Sequence, residues 1–72
     1  MSSINTTGTY RRLSGLLRMA GHSPMLETGD YRILRLVTAE DFATYDGAAV
    51  VVEGNLIGAD RLQVEWIGHL AA

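Results

Sequence analysis

The sequence predicts a small all-β domain, because its apolar residues alternate along the chain and its glycines fall at turns and bends. The chain has 72 residues, of which 47% are apolar, with eight glycines, one proline and no cysteine. A chain of this size buries only about 60% of the surface that its unfolded form exposes. Without a disulfide, the fold depends on hydrophobic packing, and association with a second copy or a partner is a further source of stability.

Three strands are predicted in the first half of the chain. Residues 9–20 alternate with a period of two, so that Leu17 and Arg18 lie on opposite faces. Gly15 predicts a bend within this strand, because glycine weakens a flat strand and permits strong coiling. A turn and two shorter strands follow, over residues 21–24, 25–28 and 31–37.

A short helix is predicted after the third strand. Thr38 is suited to cap the amides of the first turn, and Asp41 lies at the reciprocal capping-box position. Gly47, directly after Asp46, is expected to end the helix because glycine accepts the left-handed conformation found there. A helix of barely two turns is too short to stand alone, so it must pack against a sheet.

Two further strands, over residues 48–53 and 61–67, complete the pattern, with Gly54 as a second bend and residues 57–60 as a hairpin turn. On the last strand, Trp66 is expected either to join the inner face or to lie on the outer surface. Three strands, a short helix and two more strands are typical of a small five-stranded barrel of the OB type. An SH3-like barrel or an open α+β sheet is the alternative.

The chain is expected to form one domain over residues 9–70, preceded by a flexible N-terminus, residues 1–8. No apolar run approaches the roughly 18 residues of a membrane span, and the first residues lack the basic and apolar regions of a secretory signal. The absence of cysteine fits a reducing compartment. These features together favour a cytoplasmic location.

Four segments carry a further pattern: Leu13–Arg18, Leu26–Leu34, Val50–Asn55 and Ala59–Ile67. They combine a strand with Gly-x-Leu, a strand pair around a Gly-Asp turn, a Val-x-Val-x-Gly segment and a final Leu-x-Val-x-x-Ile. In these motifs, which span residues 9–67, the chain resembles the small single-domain OB-fold-like bacterial proteins of unknown function. The resemblance implies a fold and no activity, and residues 38–47 depart from its pattern.

The charges are unevenly distributed along the chain. All six basic residues are arginine, and five of them precede residue 37, against Glu27 and Asp30, which makes this half +3. The second half has Arg61 against six carboxylates, or −5, and the whole chain is −2. Arginine pairs bidentately with carboxylates and phosphates and stacks on flat rings. The predicted binding surface therefore consists of Tyr10, Arg12, Arg18, Tyr31, Arg32, Arg35 and Trp66.

Two alternative functions are predicted for this surface. A module for protein–protein interaction or self-association is preferred, because the apolar residues exceed what so small a barrel can enclose, and exposed apolar patches mark contacts. Single-stranded nucleic-acid binding is the alternative, since OB barrels bind single strands with a basic groove and stacking aromatic rings. The acidic net charge disfavours it, because such affinity depends on counterion release by many cations.

Neither an enzyme nor a cofactor or metal site is expected. His22 lies beside Ser23, but His69 is far along the chain, and a catalytic triad requires three groups that meet in space. The histidines lack the spacing of zinc ligands. The glycines form neither a dinucleotide-binding nor a phosphate-loop motif. The function is therefore expected to be binding without catalysis.

Overall fold

The computed structural model describes residues 9–70 as a closed barrel. Its strands are β1 (Thr9–Ala20), β2 (Ser23–Thr28), β3 (Ile33–Val37), β4 (Ala49–Ile57) and β5 (Arg61–His69). They follow the order β1-β2-β3-β5-β4 around the barrel, and neighbours are antiparallel except for the parallel pair β3 and β5. The predicted five-stranded all-β barrel is confirmed, whereas the flexible segment predicted for residues 1–8 lies outside the described residues. Within this part of the chain, no helix is long and apolar enough to cross a membrane.

The long strand β1 pairs with two neighbours. Its first part, through Leu16, is antiparallel to β4, and its last part, from Gly15 onward, is antiparallel to β2. At Gly15, where both ladders overlap, an added Cβ would meet the backbone carbonyl of Glu27. Gly15, for which a bend was predicted, therefore lies where β1 passes from one partner to the other and approaches the backbone of β2 closely.

The pair β4 and β5 contains a bulge at Gly54, the second predicted bend. Glu53 is opposite Trp66 and Gly54 is opposite Val64, so Glu65 has no partner on β4. Because of this extra residue, the side chains that follow it on β5 lie on the opposite faces from those that a regular alternation would give. Of the two positions considered for Trp66, the outer one is observed, and its side chain is 51% exposed.

The segment between β3 and β4 forms a single 3-10 turn, Ala43–Tyr45, and the two-turn helix predicted after Thr38 is wrong in its extent. The Thr38 hydroxyl accepts a hydrogen bond from the Glu40 amide at 3.0 Å. A carboxylate oxygen of Asp41 likewise accepts one from the Ala43 amide at 2.9 Å. Both are local turns across two residues, and they compete with a helix for the same backbone amides.

This segment nevertheless packs against the sheet, as the predicted helix was expected to do, and it closes one end of the barrel. Phe42 is 2% exposed and belongs to the core. The Gly47 amide donates to the Leu17 carbonyl at 2.7 Å, and the Met19 amide donates to the Asp46 carboxylate at 3.0 Å. The buried apolar core consists of Leu17, Leu26, Leu34, Leu36, Phe42, Val50, Val52 and Leu62.

Replacing Gly54 by alanine is expected to destabilise the barrel, because an added Cβ would meet the backbone carbonyl of Gln63 on β5. Overpacking of this kind typically lowers the free energy of unfolding by about 1–3 kcal/mol. Gly29→Ala is the matched control, since an added Cβ there has no heavy atom within 4 Å and the backbone φ is not positive. Urea denaturation measures both variants, and equal stabilities would contradict the close approach of β4 and β5.

Candidate binding surface

Three arginines lie in one row on the outer surface of the barrel. Arg18 on β1 is opposite Met25 on β2, and Met25 is opposite Arg35 on β3. Arg35 is in turn opposite Arg61 on β5, through the parallel pairing of these two strands. Because directly paired residues share one face of a sheet, these four residues form a continuous band across four strands, which we call the arginine row.

The arginine row is neutralised at one end within the described part of the chain. The Nε atom of Arg18 lies 3.3 Å from a carboxylate oxygen of Glu27. Among residues 9–70, Arg35 and Arg61 have no carboxylate within the 4.0 Å of an ion pair. Like charges directly opposite one another destabilise a pair of strands. This part of the row is therefore suited to receive an anionic group from another molecule.

Apolar side chains flank the arginine row. Ile33 and Val37 alternate with Arg35 along β3 and are 55% and 37% exposed. Met25, inside the row, is half-buried. None of the four row residues is aromatic. Arginine and methionine are enriched at protein–protein interfaces relative to the rest of a protein surface, so the composition of this band suits a protein partner.

Tyr10, Arg12 and Trp66 lie on another part of the outer surface, around Glu53 of β4. The Tyr10 hydroxyl donates a hydrogen bond to one carboxylate oxygen of Glu53 at 2.9 Å. An Arg12 nitrogen lies 3.5 Å from the other oxygen. Trp66 is directly opposite Glu53 on β5, and its ring covers Gly68. The charge of Arg12 is thus balanced within the chain.

A shallow cleft of about 200 Å³ adjoins Trp66 on the side of the 3-10 turn. Glu40 and Glu65 line this cleft together with Tyr45. Carboxylates on this side of Trp66 repel phosphate groups, which disfavours the ring as a platform for nucleic-acid bases. Trp66 is therefore separate from the arginine row both in position and in electrostatic surroundings.

Tyr31 and Arg32 occupy a third place, the turn between β2 and β3. Tyr31 has a φ of 65°, in the left-handed region that non-glycine residues rarely adopt, and its side chain is 92% exposed. Arg32 lines a cleft at the open end of the barrel.

The seven residues predicted as one binding surface are thus divided among three places, and whether any of them binds a partner stays a prediction.

Arg61 and Met25 belong to the row but were absent from the predicted surface. Arg61 falls in the acidic half of the sequence, and the parallel pairing of β3 and β5 brings it beside Arg35. The predicted order of strands along the chain does not say which strands are neighbours in the barrel, so it held no signal that would place Arg61 next to Arg35.

The histidines lie at opposite parts of the chain without a shared site. His22 is exposed in the turn between β1 and β2. The ring of His69, at the end of β5, is 4.8 Å from that of Tyr45 between centroids. The described residues contain no group of three or more histidines, aspartates and glutamates that could hold a metal ion.

A family model described as a protein of unknown function (DUF5818) matches residues 14–70. The match begins in β1 and extends past the end of β5, so it covers most of the barrel. No curated protein and no solved structure matches the chain.

The pKa of Tyr10 is expected to fall in a Glu53→Gln variant. In the wild type, the pKa lies above the ordinary 10.0, mainly because the hydroxyl donates a hydrogen bond to Glu53, with further contributions from desolvation and from the charges of Glu53 and Glu65. The stabilisation that accompanies this raised pKa is present below pH about 10 and is lost as the pH rises through the pKa of the folded protein. NMR titration of the tyrosine rings measures the change.

Glu65→Gln is the matched control for this titration. Glu65 acts on Tyr10 through its charge alone and is the smallest of the named causes. The fall in the pKa of Tyr10 is therefore expected to be smaller than in Glu53→Gln. An equal fall in the two variants would show that the hydrogen bond between Tyr10 and Glu53 is not formed in solution.

Proposed function

The chain belongs to the DUF5818 family of proteins of unknown function, and we propose that it is a non-enzymatic binding module of the OB type whose arginine row docks on an acidic protein surface. The strand order β1-β2-β3-β5-β4 with a parallel pair of β3 and β5 supports the OB type, since OB folds are five-stranded barrels. The face formed by the second and third strands of OB folds commonly serves as a binding surface, and Met25 and Arg35 of the row lie on these strands.

The direct pairing of Arg35 with Arg61 is the observation that carries this proposal. Two guanidinium groups at opposed positions repel each other, and neither has an ion-pair partner among residues 9–70. A carboxylate between them would remove this repulsion and accept charge-assisted hydrogen bonds from both groups. A partner that presents acidic groups is therefore favoured over an apolar or a basic one.

The neighbours of the two arginines favour a protein as the source of these acidic groups. Ile33 and Val37 are exposed on the same face of β3, and Met25 lies between Arg18 and Arg35. Together they offer aliphatic contacts of the kind found in the centre of protein interfaces. An acidic segment that also carries apolar side chains complements both components.

Single-stranded nucleic acid is the second candidate ligand. It is favoured by the three arginines of the row, because they lie on the outer face of the barrel and can bind phosphates. It is disfavoured by the absence of an aromatic ring from the row, because stacking on such rings contributes about 1–3 kcal/mol per base. Tyr10 and Trp66, the rings predicted for this role, lie around Glu53 instead.

A second copy of the chain also offers an acidic surface. Glu40, Asp41 and Asp46 are exposed in the segment between β3 and β4, and Glu65 lies nearby on β5, beside the same cleft as Glu40. Self-association through this segment and the arginine row would be head-to-tail. Sedimentation at low salt and rising concentration tests this case, in which the wild type would associate and a variant without Arg35 and Arg61 would not.

The proposal predicts that Arg35→Gln/Arg61→Gln weakens binding of an acidic amphipathic peptide at least tenfold, because the row loses the two charges that have no ion-pair partner among residues 9–70. The probe is a labelled peptide of alternating glutamate and leucine, followed by fluorescence polarisation at low salt. Arg11→Gln/Arg32→Gln is the charge-matched control, since neither residue belongs to the row, and its affinity is expected to stay within about threefold of the wild type.

Labelled oligothymidine of equal charge is measured beside the peptide. Tighter binding of the oligonucleotide than of the peptide, lost in Arg35→Gln/Arg61→Gln, would replace the proposal by the nucleic-acid alternative. Absence of saturable peptide binding, or an equal loss in both double variants, would remove the arginine row as the docking site.

A further inference from the structure

The two ends of the barrel differ in how they are closed. Phe42 and the backbone of the segment between β3 and β4 fill one end. At the other end, the start of β1, the turn between β2 and β3 and the end of β4 surround an open cleft of about 250 Å³. We call it the mouth cleft, and its lining consists of Arg11, Leu13, Thr28, Asp30, Arg32, Leu34 and Leu56.

The floor of the mouth cleft is apolar. Leu34 is buried, with 6% of its surface exposed, and belongs to the core cluster. Leu13 and Leu56 are half-buried and pack against that cluster. We call these three residues the leucine floor. An apolar group placed on it would extend the core and would be shielded from water on one side.

The rim of the mouth cleft is charged. Arg11 and Arg32 provide two guanidinium groups, and neither has a carboxylate within 4.0 Å among residues 9–70. Among the described residues that form the lining, Asp30 is the one with a carboxylate. Its negative charge offsets one of the two positive charges, so the rim is left with a net charge of +1.

A hydrogen bond from Thr28 favours the ionised form of Asp30. The Thr28 hydroxyl donates a hydrogen bond to the Asp30 carboxylate, which lowers the pKa of Asp30 below its ordinary 3.8, and Arg32 adds a smaller effect through its charge. The pKa of Asp30 is lower in the folded protein than in the unfolded chain. Asp30 is therefore ionised at neutral pH, where the rim has its net charge of +1.

We propose that the mouth cleft binds a small amphipathic monoanion with a carboxylate head, whose apolar part lies on the leucine floor and whose charge is bound by Arg11 and Arg32. Ligand sites are mostly apolar concavities with a few placed polar groups, and the mouths of β-barrels are common positions for them. Guanidinium groups suit a carboxylate because their donors match its two oxygens. The volume lies below the roughly 300–1,000 Å³ of sites for drug-sized ligands, so the ligand is short.

Hexanoate is the probe, and amide chemical shifts of the protein are followed by NMR. Saturable shifts are expected at Thr28, Leu34 and Leu56, which surround the mouth cleft. Acetate lacks the apolar part and 1-hexanol lacks the charge, and each is expected to bind at least tenfold more weakly. Equal binding of 1-hexanol or acetate would overturn the amphipathic site, as would the absence of a saturable shift with hexanoate at millimolar concentrations.

Two variants test the charges of the rim. Arg11→Gln/Arg32→Gln is expected to weaken hexanoate at least tenfold, whereas Arg35→Gln/Arg61→Gln, which removes the same charge from the arginine row, is expected to leave it within about twofold. Asp30→Asn raises the rim charge by one unit and is expected to bind hexanoate severalfold more tightly. Weaker binding of hexanoate to Asp30→Asn, or an equal loss of hexanoate affinity in the two double variants, would overturn the proposal. This outcome does not depend on whether the arginine row binds the acidic peptide.

Discussion

Closure of the sheet is the constraint on which the rest of the molecule depends. β1 pairs with β4 and then with β2, and Gly15 lies at the overlap, where a side chain would meet the backbone of β2. The last gap is closed by three parallel residue pairs between β3 and β5 and by a 2.8 Å hydrogen bond from the Arg35 amide to the Asp60 carbonyl. Such a closed sheet has no long exposed edge, which protects a small β protein from pairing with other chains.

The same closure decides where the charges lie. Along the sequence, most arginines lie in the first half and most carboxylates in the second, but around the barrel Arg12 of the first half meets Glu53 of the second. The pairing of β3 with β5 has the opposite effect, because it brings two arginines together. A chain with a net charge of −2 thus has surfaces that differ in their local charge. The charge that is left over is located by strand register and could not be read from charge counts along the chain.

Local signals in the sequence predicted most of the fold. Alternation predicted the strand β1, and a bend was predicted at Gly54, where the pair β4 and β5 has its bulge. Two features were beyond reach. The bend at Gly54 was predicted, but the residue of β5 that bulges opposite it was not, because it depends on the register between β4 and β5, and this register decides which way Trp66 points. The helix after Thr38 was overestimated because a capping residue and a turn-forming residue have the same sequence signature.

The binding surface was harder to predict than the fold for the same reason. A surface is assembled across strands, and each one-residue shift in register moves a side chain to the other face. Grouping arginines by their place in the sequence therefore joined Arg32 to Arg35, although the barrel puts one at its open end and the other in a row with Arg61. Arg11 shows the converse. It was not considered for the predicted surface, although its odd position in β1 puts it on the same face as Leu13 and Leu17, and because it lies near the start of the strand it lines the cleft at the open end of the barrel.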